Sequence, residues 1–365
     1  MRNILLITIS SAIILAVFTG VMVLCNETVR SDDAPFGRTD ISPEMLTAID
    51  KGLDWLAKAQ NPNGSWNCVV GYKLNEDYIT DTASAEHVCI TALACMAFMA
   101  NGSTAEAGKY SENISKGLDF VLSCVRPNGY ITKNGTRMYE HAFATLFLSQ
   151  AAGMKKSQEV QEKLKLACDL IVRSQNPDGG WRYQPQPIDA DISVTVSTLQ
   201  ALRAARNVGV MVPKETIDKA MKYIKNSVNP DGSFNYQAGG QFMTRTSFAL
   251  TSCGIVSLYS AGEYNSPLIS RGLEFLRNNT RYRLIWGNYH YFYGHYYGAQ
   301  AMYQAGGKYW EEYFISTNGR GVRDEIIGQQ MNDGRWADDV GPTYATAMAC
   351  LVLQVPFEYL PIFQK

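Results

Sequence analysis

The chain has 365 residues, 46% of them apolar and 18% charged, with 33 basic against 34 acidic side chains and a net charge of −1. So even a balance provides no electrostatic footprint for nucleic acid, which is excluded as a partner. The apolar fraction is enough to bury a large core in one domain.

In chain order, the first feature is an uncharged run from Ile4 to Leu24 behind Arg2, followed by the polar stretch Arg30-Ser31-Asp32-Asp33-Ala34-Pro35. The run is longer than the ~7–15 residue core of a signal peptide and long enough to span a bilayer. Residues 1–30 are expected to be a signal peptide or an N-terminal membrane anchor, with 31–42 as a linker. Both alternatives keep the positive end in the cytoplasm, so residues 43–365 are expected outside it, periplasmic or secreted, with the membrane as a partner through residues 4–24.

From residue 43 onward the sequence repeats. Gln60-Asn61-Pro62-Asn63-Gly64-Ser65-Trp66, Gln175-Asn176-Pro177-Asp178-Gly179-Gly180-Trp181 and Gln330-Met331-Asn332-Asp333-Gly334-Arg335-Trp336 share the form Gln-x-x-x-Gly-x-Trp. Blocks like Lys51-Gly52-Leu53-Asp54-Trp55-Leu56 recur at Lys116, Leu166, Lys219, Arg271 and, faintly, near Gly321, 50 to 65 residues apart. Six units therefore fill the chain. Where Gln or Trp is lost, as in Val125-Arg126-Pro127-Asn128-Gly129-Tyr130 and Val228-Asn229-Pro230-Asp231-Gly232-Ser233-Phe234, the glycine survives. The fifth unit replaces the turn with Thr280-Arg281-Tyr282-Arg283 and diverges most.

Each unit reads as two helices. The first alternates apolar and charged residues at helical spacing, which predicts an outer helix with one wet face. Ser42-Pro43 and Ser266-Pro267 mark starts, with Pro213 in a similar part. Proline and glycine in the turn then break the helix. The second helix is apolar nearly all round, as in Val88 to Met96, Ala142 to Leu148 and Ser247 to Cys253, and must be buried. Gly102, Gly153, Gly209, Gly262 and Gly306 are expected as its left-handed C-caps. Six apolar helices enclosed by six amphipathic ones predict an all-α, (α/α)6 toroid.

The motif and its upstream block resemble the QW repeat of the prenyltransferase and squalene-cyclase superfamily, over roughly residues 45 to 355. The resemblance implies that the repeated Gln and Trp fasten outer helices together while the inner helices wall a cavity. It also implies an isoprenoid-like or other apolar ligand, with an activity at most terpene cyclase-like or lyase-like. The Asp-x-Cys pattern of protein prenyltransferases is absent, so no metal and no cofactor are expected. Seven cysteines follow residue 43; only Cys68 and Cys124, near turns, are candidates for a bridge.

If each inner helix begins just after its turn, the polar residues there form a ring at one mouth: Asp81, Thr82 and His87; Glu140 and His141; Asp189 and Asp191; Arg245; Tyr293, His295 and Tyr296; Asp338, Asp339 and Tyr344. Acids, imidazoles and phenols converging on an apolar cavity make a candidate site. Asp81, Asp189 and Asp338 also read as N-caps. In the class II terpene cyclases that the chain resembles, an Asp-x-Asp-Asp motif protonates a polyene through its middle Asp. Asp189 and Asp191 match the first and middle acids, and Ile192 replaces the last. The resemblance thus implies Asp191 as an acid assisted by Asp189, with His141 and His295 as further catalytic candidates. Glu140, Arg245, Trp286, Tyr293, Tyr296, Asp339 and Tyr344 are the expected ligand-binding residues. Tyr289, Tyr291, Phe292 and Tyr297 complete an aromatic patch suited to a carbocation or to sugar rings. Two other readings are a non-catalytic scaffold for a cell-surface protein or glycan, and a toroid-type polysaccharide lyase using His141, His295 and Arg245.

Overall fold

The computed structural model describes residues 40–69, 84–133, 137–154, 157–239, 246–279, 290–316 and 321–364. The expected signal or anchor, Asp81, Thr82, Arg245, Trp286, Tyr289 and the divergent fifth turn lie outside them. Among the described residues, no helix is long and apolar enough to cross a membrane.

Outer helices are α1 (Pro43–Lys58), α3 (Ser111–Ser123), α5 (Gln158–Arg173), α7 (Lys214–Lys225), α9 (Pro267–Asn278) and α12 (Val322–Ile327). Inner helices are α2 (Val88–Ala100), α4 (Met138–Met154), α6 (Ile192–Asn207), α8 (Phe248–Ser260), α10 (Tyr291–Ala305) and α13 (Pro342–Leu353). A short helix, α11 (Gly307–Trp310), runs into a π-turn at Glu311–Ile315 ahead of α12. Each inner helix packs against the next, and α13 packs against α2, so the inner ring closes. The all-α toroid is the architecture that the six units predict. Its strand content among the described residues is the pair β1 (Asn67–Cys68) and β2 (Ala85–Glu86), antiparallel, with a few isolated bridges.

The outer helices form as amphipathic helices should. In α1 the Ser42 hydroxyl accepts from Met45 N at 3.2 Å, Pro43 opens the first turn, and Met45, Ile49, Leu53 and Leu56 bury one stripe. Burying each of the large aliphatics contributes ~1.5–3 kcal/mol. Inner helix α2 has no wet face, because all 13 of its residues are buried. Gly102, Gly209, Gly262 and Gly306 adopt positive φ after inner helices. Gly153 does not, because α4 runs through it to Met154.

The turns explain the repeat. Gln60 Nε2 donates to Gly64 O within its own turn and to Asn113 O of the next outer helix, both at 2.9 Å. Gln175 bridges Gly179 O and Thr216 O in the same way, and Gln330 bridges Gly334 O and Ala48 O, tying the last unit to the first. The indoles of Trp66, Trp181 and Trp336 donate to Leu56 O, Ile171 O and Ile326 O. Glycine survives in degenerate turns because its φ is positive and the next outer helix lies against it. A Cβ on Gly64, Gly129 or Gly179 would fall 2.1 Å from a carbonyl oxygen of that helix. The glycine of the upstream block answers a second contact, since a Cβ on Gly52 would meet the Trp336 ring at 2.7 Å.

All seven cysteines of the toroid are free and buried, and Cys68 donates to Val340 O at 2.9 Å. The candidate Cys68–Cys124 bridge is therefore not formed.

Candidate functional site at the N-terminal ends of the inner helices

One hydrogen bond recurs where four of the turns meet their inner helices. The backbone N–H of Trp66, Trp181, Phe234 and Trp336 donates to the hydroxyl of Thr91, Thr195, Thr251 and Thr346. In the second unit Ile131 N donates to His141 Nδ1 at 3.1 Å instead. Its Nε2 lies 3.2 Å from Ala167 O of the next outer helix and, with Nδ1 accepting, must be the protonated nitrogen. Wholly buried and pushed down to about 4 by burial, His141 stays neutral. Both ring nitrogens are committed to backbone, which corrects its expected catalytic role: it is a fastener in the place of a threonine.

His295 is corrected for a related reason. It is 1% exposed, its Nδ1 is 2.9 Å from Tyr313 OH, and the rings of Phe248, Tyr291 and Tyr313 surround it. Burial pushes its pKa down to about 3. Packed within the wall between α10 and the π-turn, it stays a neutral imidazole.

Asp191 is different. It is the N-cap of α6, wholly buried, and its Oδ1 accepts from Val194 N at 2.9 Å and from Ser193 Oγ at 2.6 Å. Its Oδ2 is equally buried and has no hydrogen-bond partner among the described residues. Burial raises its pKa, against the opposing pull of Ser193, Val194 and Arg182. The bonds at Oδ1 favour charge, burial disfavours it, and burial wins. The Ser193 proton points to Asp191, so Tyr139 OH, 2.6 Å from Ser193 Oγ, must be the donor there. The result is a directed chain Tyr139 to Ser193 to Asp191.

Phenols crowd this end of the barrel. Tyr293 OH donates to Ser193 O at 2.8 Å, and its ring meets Tyr139 edge-on at 6.3 Å. Tyr183 OH and Tyr236 OH lie 2.6 Å apart, and the Tyr183 ring is 6.0 Å from that of Tyr139. Arg182 lies over the Tyr183 and Tyr236 rings, 5.0 and 5.7 Å from their centroids. Its Nε pairs at 3.0 Å with Asp189, which is exposed. Asp189 is thus neither an N-cap nor a buried companion of Asp191: it is a surface partner of Arg182.

A second cluster sits nearby in the repeat order. His87 holds the N-cap position of α2, equivalent to that of Asp191 in α6, and its Nε2 lies 3.5 Å from Glu140 Oε1. Glu140 Oε2 accepts from Arg137 N at 2.6 Å. Burial raises Glu140 to about 7 and lowers His87 to about 4. Burial, and after it the nearby Asp338, pushes the phenol of half-buried Tyr344 up, while Asp339 is exposed. Asp338 is not a helix cap either, because Gly341 holds that place in α13. Tyr296 is wholly buried against Phe143 and Tyr297. Among the described residues no three of His, Cys, Asp and Glu converge as metal ligands.

The structure therefore brings together Asp191, Tyr293 and, apart from them, Glu140, with partners that sequence reasoning left out: Tyr139, Tyr183, Tyr236, Arg182 and Ser193. A signal for two of these was present. Tyr183 and Tyr236 both stand two residues after the turn's aromatic residue, a position that other units fill with Cys68 and Asp338.

A family model described as the prenyltransferase alpha-alpha toroid domain matches residues 42–180, and one described as the squalene-hopene cyclase C-terminal domain matches residues 143–314. A squalene–hopene cyclase from Bradyrhizobium diazoefficiens is 20% identical over 255 residues, 67% of this chain and 30% of that protein. The chain spans less than a third of the length of the curated relatives it matches. Among solved structures, a type II terpene cyclase from Scytonema in complex with geranylgeranyl dihydroxybenzoate aligns with TM-score 0.56 at 13% identity, covering 87% of this chain and 98% of that one. A cellobiose 2-epimerase from Bacillus thermoamylovorans aligns as well, with TM-score 0.59 at 12% identity, covering 85% and 98%. Two such different chemistries on one scaffold mean that these likenesses show the fold alone.

Proposed function

We propose, for a chain that belongs to the prenyltransferase/squalene-cyclase repeat superfamily, that the toroid binds an isoprenoid-like ligand at the N-terminal mouth of its inner helices and protonates it through Asp191. The observation that carries this reading is the Asp191 carboxyl, with one oxygen held by two donors and the other buried without a partner. Adding a proton to an alkene needs an acid that keeps its proton in a dry site and delivers it from an uncommitted oxygen. The Ser193 hydroxyl, itself bonded to Tyr139, holds Oδ1 as an acceptor and so favours a proton on Oδ2. The phenol faces of Tyr139, Tyr183, Tyr236 and Tyr293 suit a developing carbocation, which aromatic faces attract. The solved Scytonema relative carries a geranylgeranyl substrate, which makes a geranylgeranyl arene the first compound to try.

The polysaccharide-lyase reading loses support, because His141 and His295 are locked in the wall. The scaffold reading leaves the buried, unpartnered oxygen of Asp191 without a purpose. The test is incubation with a geranylgeranyl arene and analysis for cyclised isomers. Asp191→Asn preserves the cap and removes the acid, and is expected to lower turnover by ~10²–10⁴-fold, the usual worth of a general acid. Cyclisation at an unchanged rate in Asp191→Asn would sink the proposal.

A further inference from the structure

The inner helices close in the order α2, α4, α6, α8, α10 and α13, so α6 stands three places from α13 in either direction, directly across the ring. The segment that leaves α13 makes this crossing. Gln354 Nε2 donates to Ala97 O of α2 at 3.0 Å, the 3₁₀ turn Val355–Phe357 packs on α10, and the 3₁₀ turn Pro361–Phe363 packs on α6. Between the turns Glu358 adopts a φ of 57°, a left-handed conformation uncommon outside glycine, which redirects the chain over the mouth.

The segment is two-faced. Val355, Leu360 and Phe363 are at most 2% exposed, whereas Tyr359, Pro361 and Gln364 face solvent. An apolar face is thus laid on the C-terminal ends of the inner helices, and apolar burial holds it there. It does not fill the mouth. A cavity of about 350 Å³ remains between Pro361–Gln364 and α4, α6, α8 and α10, where a packed core would leave few voids larger than a water molecule. Resting beside a void, the segment is seated on the barrel and is not part of its core.

We infer that residues 355–364 are a plug that closes the second mouth of the toroid and leaves the mouth at Asp191 as the way in for a ligand. The closure stands on geometry alone, while the route rests on the role proposed for Asp191. A closed second mouth also keeps water from that end, and a reactive cation must be kept from water.

Amide hydrogen exchange on the full chain tests the plug. In Phe363→Ser, protection in the last turns of α6 and α10, up to Asn207 and Ala305, is expected to fall by roughly tenfold or more, while the N-terminal halves of both helices keep wild-type protection. Ile362→Ser, at a half-buried side chain, removes less contact and is expected to give the same pattern if Phe363→Ser does not fold. In both variants KM for a geranylgeranyl arene is expected to stay at the wild-type value, because the ligand does not pass the plug. Unchanged protection, or an equal loss at both ends of the helices, would overturn the plug. A shifted KM would overturn the route. If the wild type turns nothing over, the role of Asp191 and the route fail together, and exchange still decides the plug.

Discussion

The turn that ends an outer helix and the N-cap of the inner helix that follows are neighbours in space, His87 N donating to Trp66 O and Asp191 N to Trp181 O, yet they obey opposite rules. Every described turn keeps a glycine at positive φ against the next helix, three turns tie a Gln and a Trp to backbone carbonyls, and four use a threonine hydroxyl for the turn's N–H. The N-cap position varies, with His87, Asp191 and Ser247 in α2, α6 and α8. Repetition marks what the toroid needs to close, and the proposed acid lies at a buried polar position that varies. His141 is the instructive exception, a histidine drafted onto the repeating side.

Trp181→Ala breaks the repeating side. It is expected to lose ~3–5 kcal/mol, the usual cost of truncating a buried Trp, by denaturant unfolding. Asp191→Asn, ten residues on, is expected to leave the unfolding midpoint near wild type, because Asn caps as well as Asp. Equal losses in the two variants would erase the distinction.

Glu140 sharpens the varying side through pH. Its folded pKa of about 7 stands above the ordinary 4.5, so between those values the native state holds more protons than the unfolded one. Stability from this group is present below about 4.5 and is lost as pH rises through about 7, by up to roughly 3 kcal/mol at 1.36 kcal/mol per unit. His87, His141 and His295 act oppositely, each favouring the native state until pH falls from 6.5 toward 4 or below. Urea unfolding of Glu140→Gln from pH 4.5 to 7 is expected to show a steeper rise with pH than wild type. An identical slope would show that Glu140 ionises normally.

The smallest expected effect concerns His141. Alanine there strands the buried Ile131 N–H and costs about 1–3 kcal/mol. Threonine supplies the hydroxyl used in four other units and is expected to recover most of that loss. If His141→Thr unfolds as easily as His141→Ala, the imidazole has a role beyond the repeat.

The toroid was legible because helical spacing, Pro-Gly turns and Gln-x-x-x-Gly-x-Trp are local patterns whose physics is local. The site was legible only in outline. Asp189 and Asp191 look alike along the chain, and only the start of α6 decides that one caps in the core while the other meets Arg182 at the surface. His141 reads as a loose imidazole because its partners, Ile131 N and Ala167 O, lie across a turn and on another helix. Tyr139 reads as one more core aromatic until Ser193, 54 residues away, closes the chain to Asp191.

The central claim is that Asp191 holds its proton above the range of an ordinary aspartate. Carboxyl titration by NMR on protein labelled with ¹³C-aspartate, with the Asp191 signal identified by its loss in Asp191→Asn, measures this directly. The expected midpoint lies above the ordinary 3.8, because burial disfavours the charged carboxylate. A midpoint at or below 3.8 would make Asp191 a charged helix cap and contradict its role as the acid.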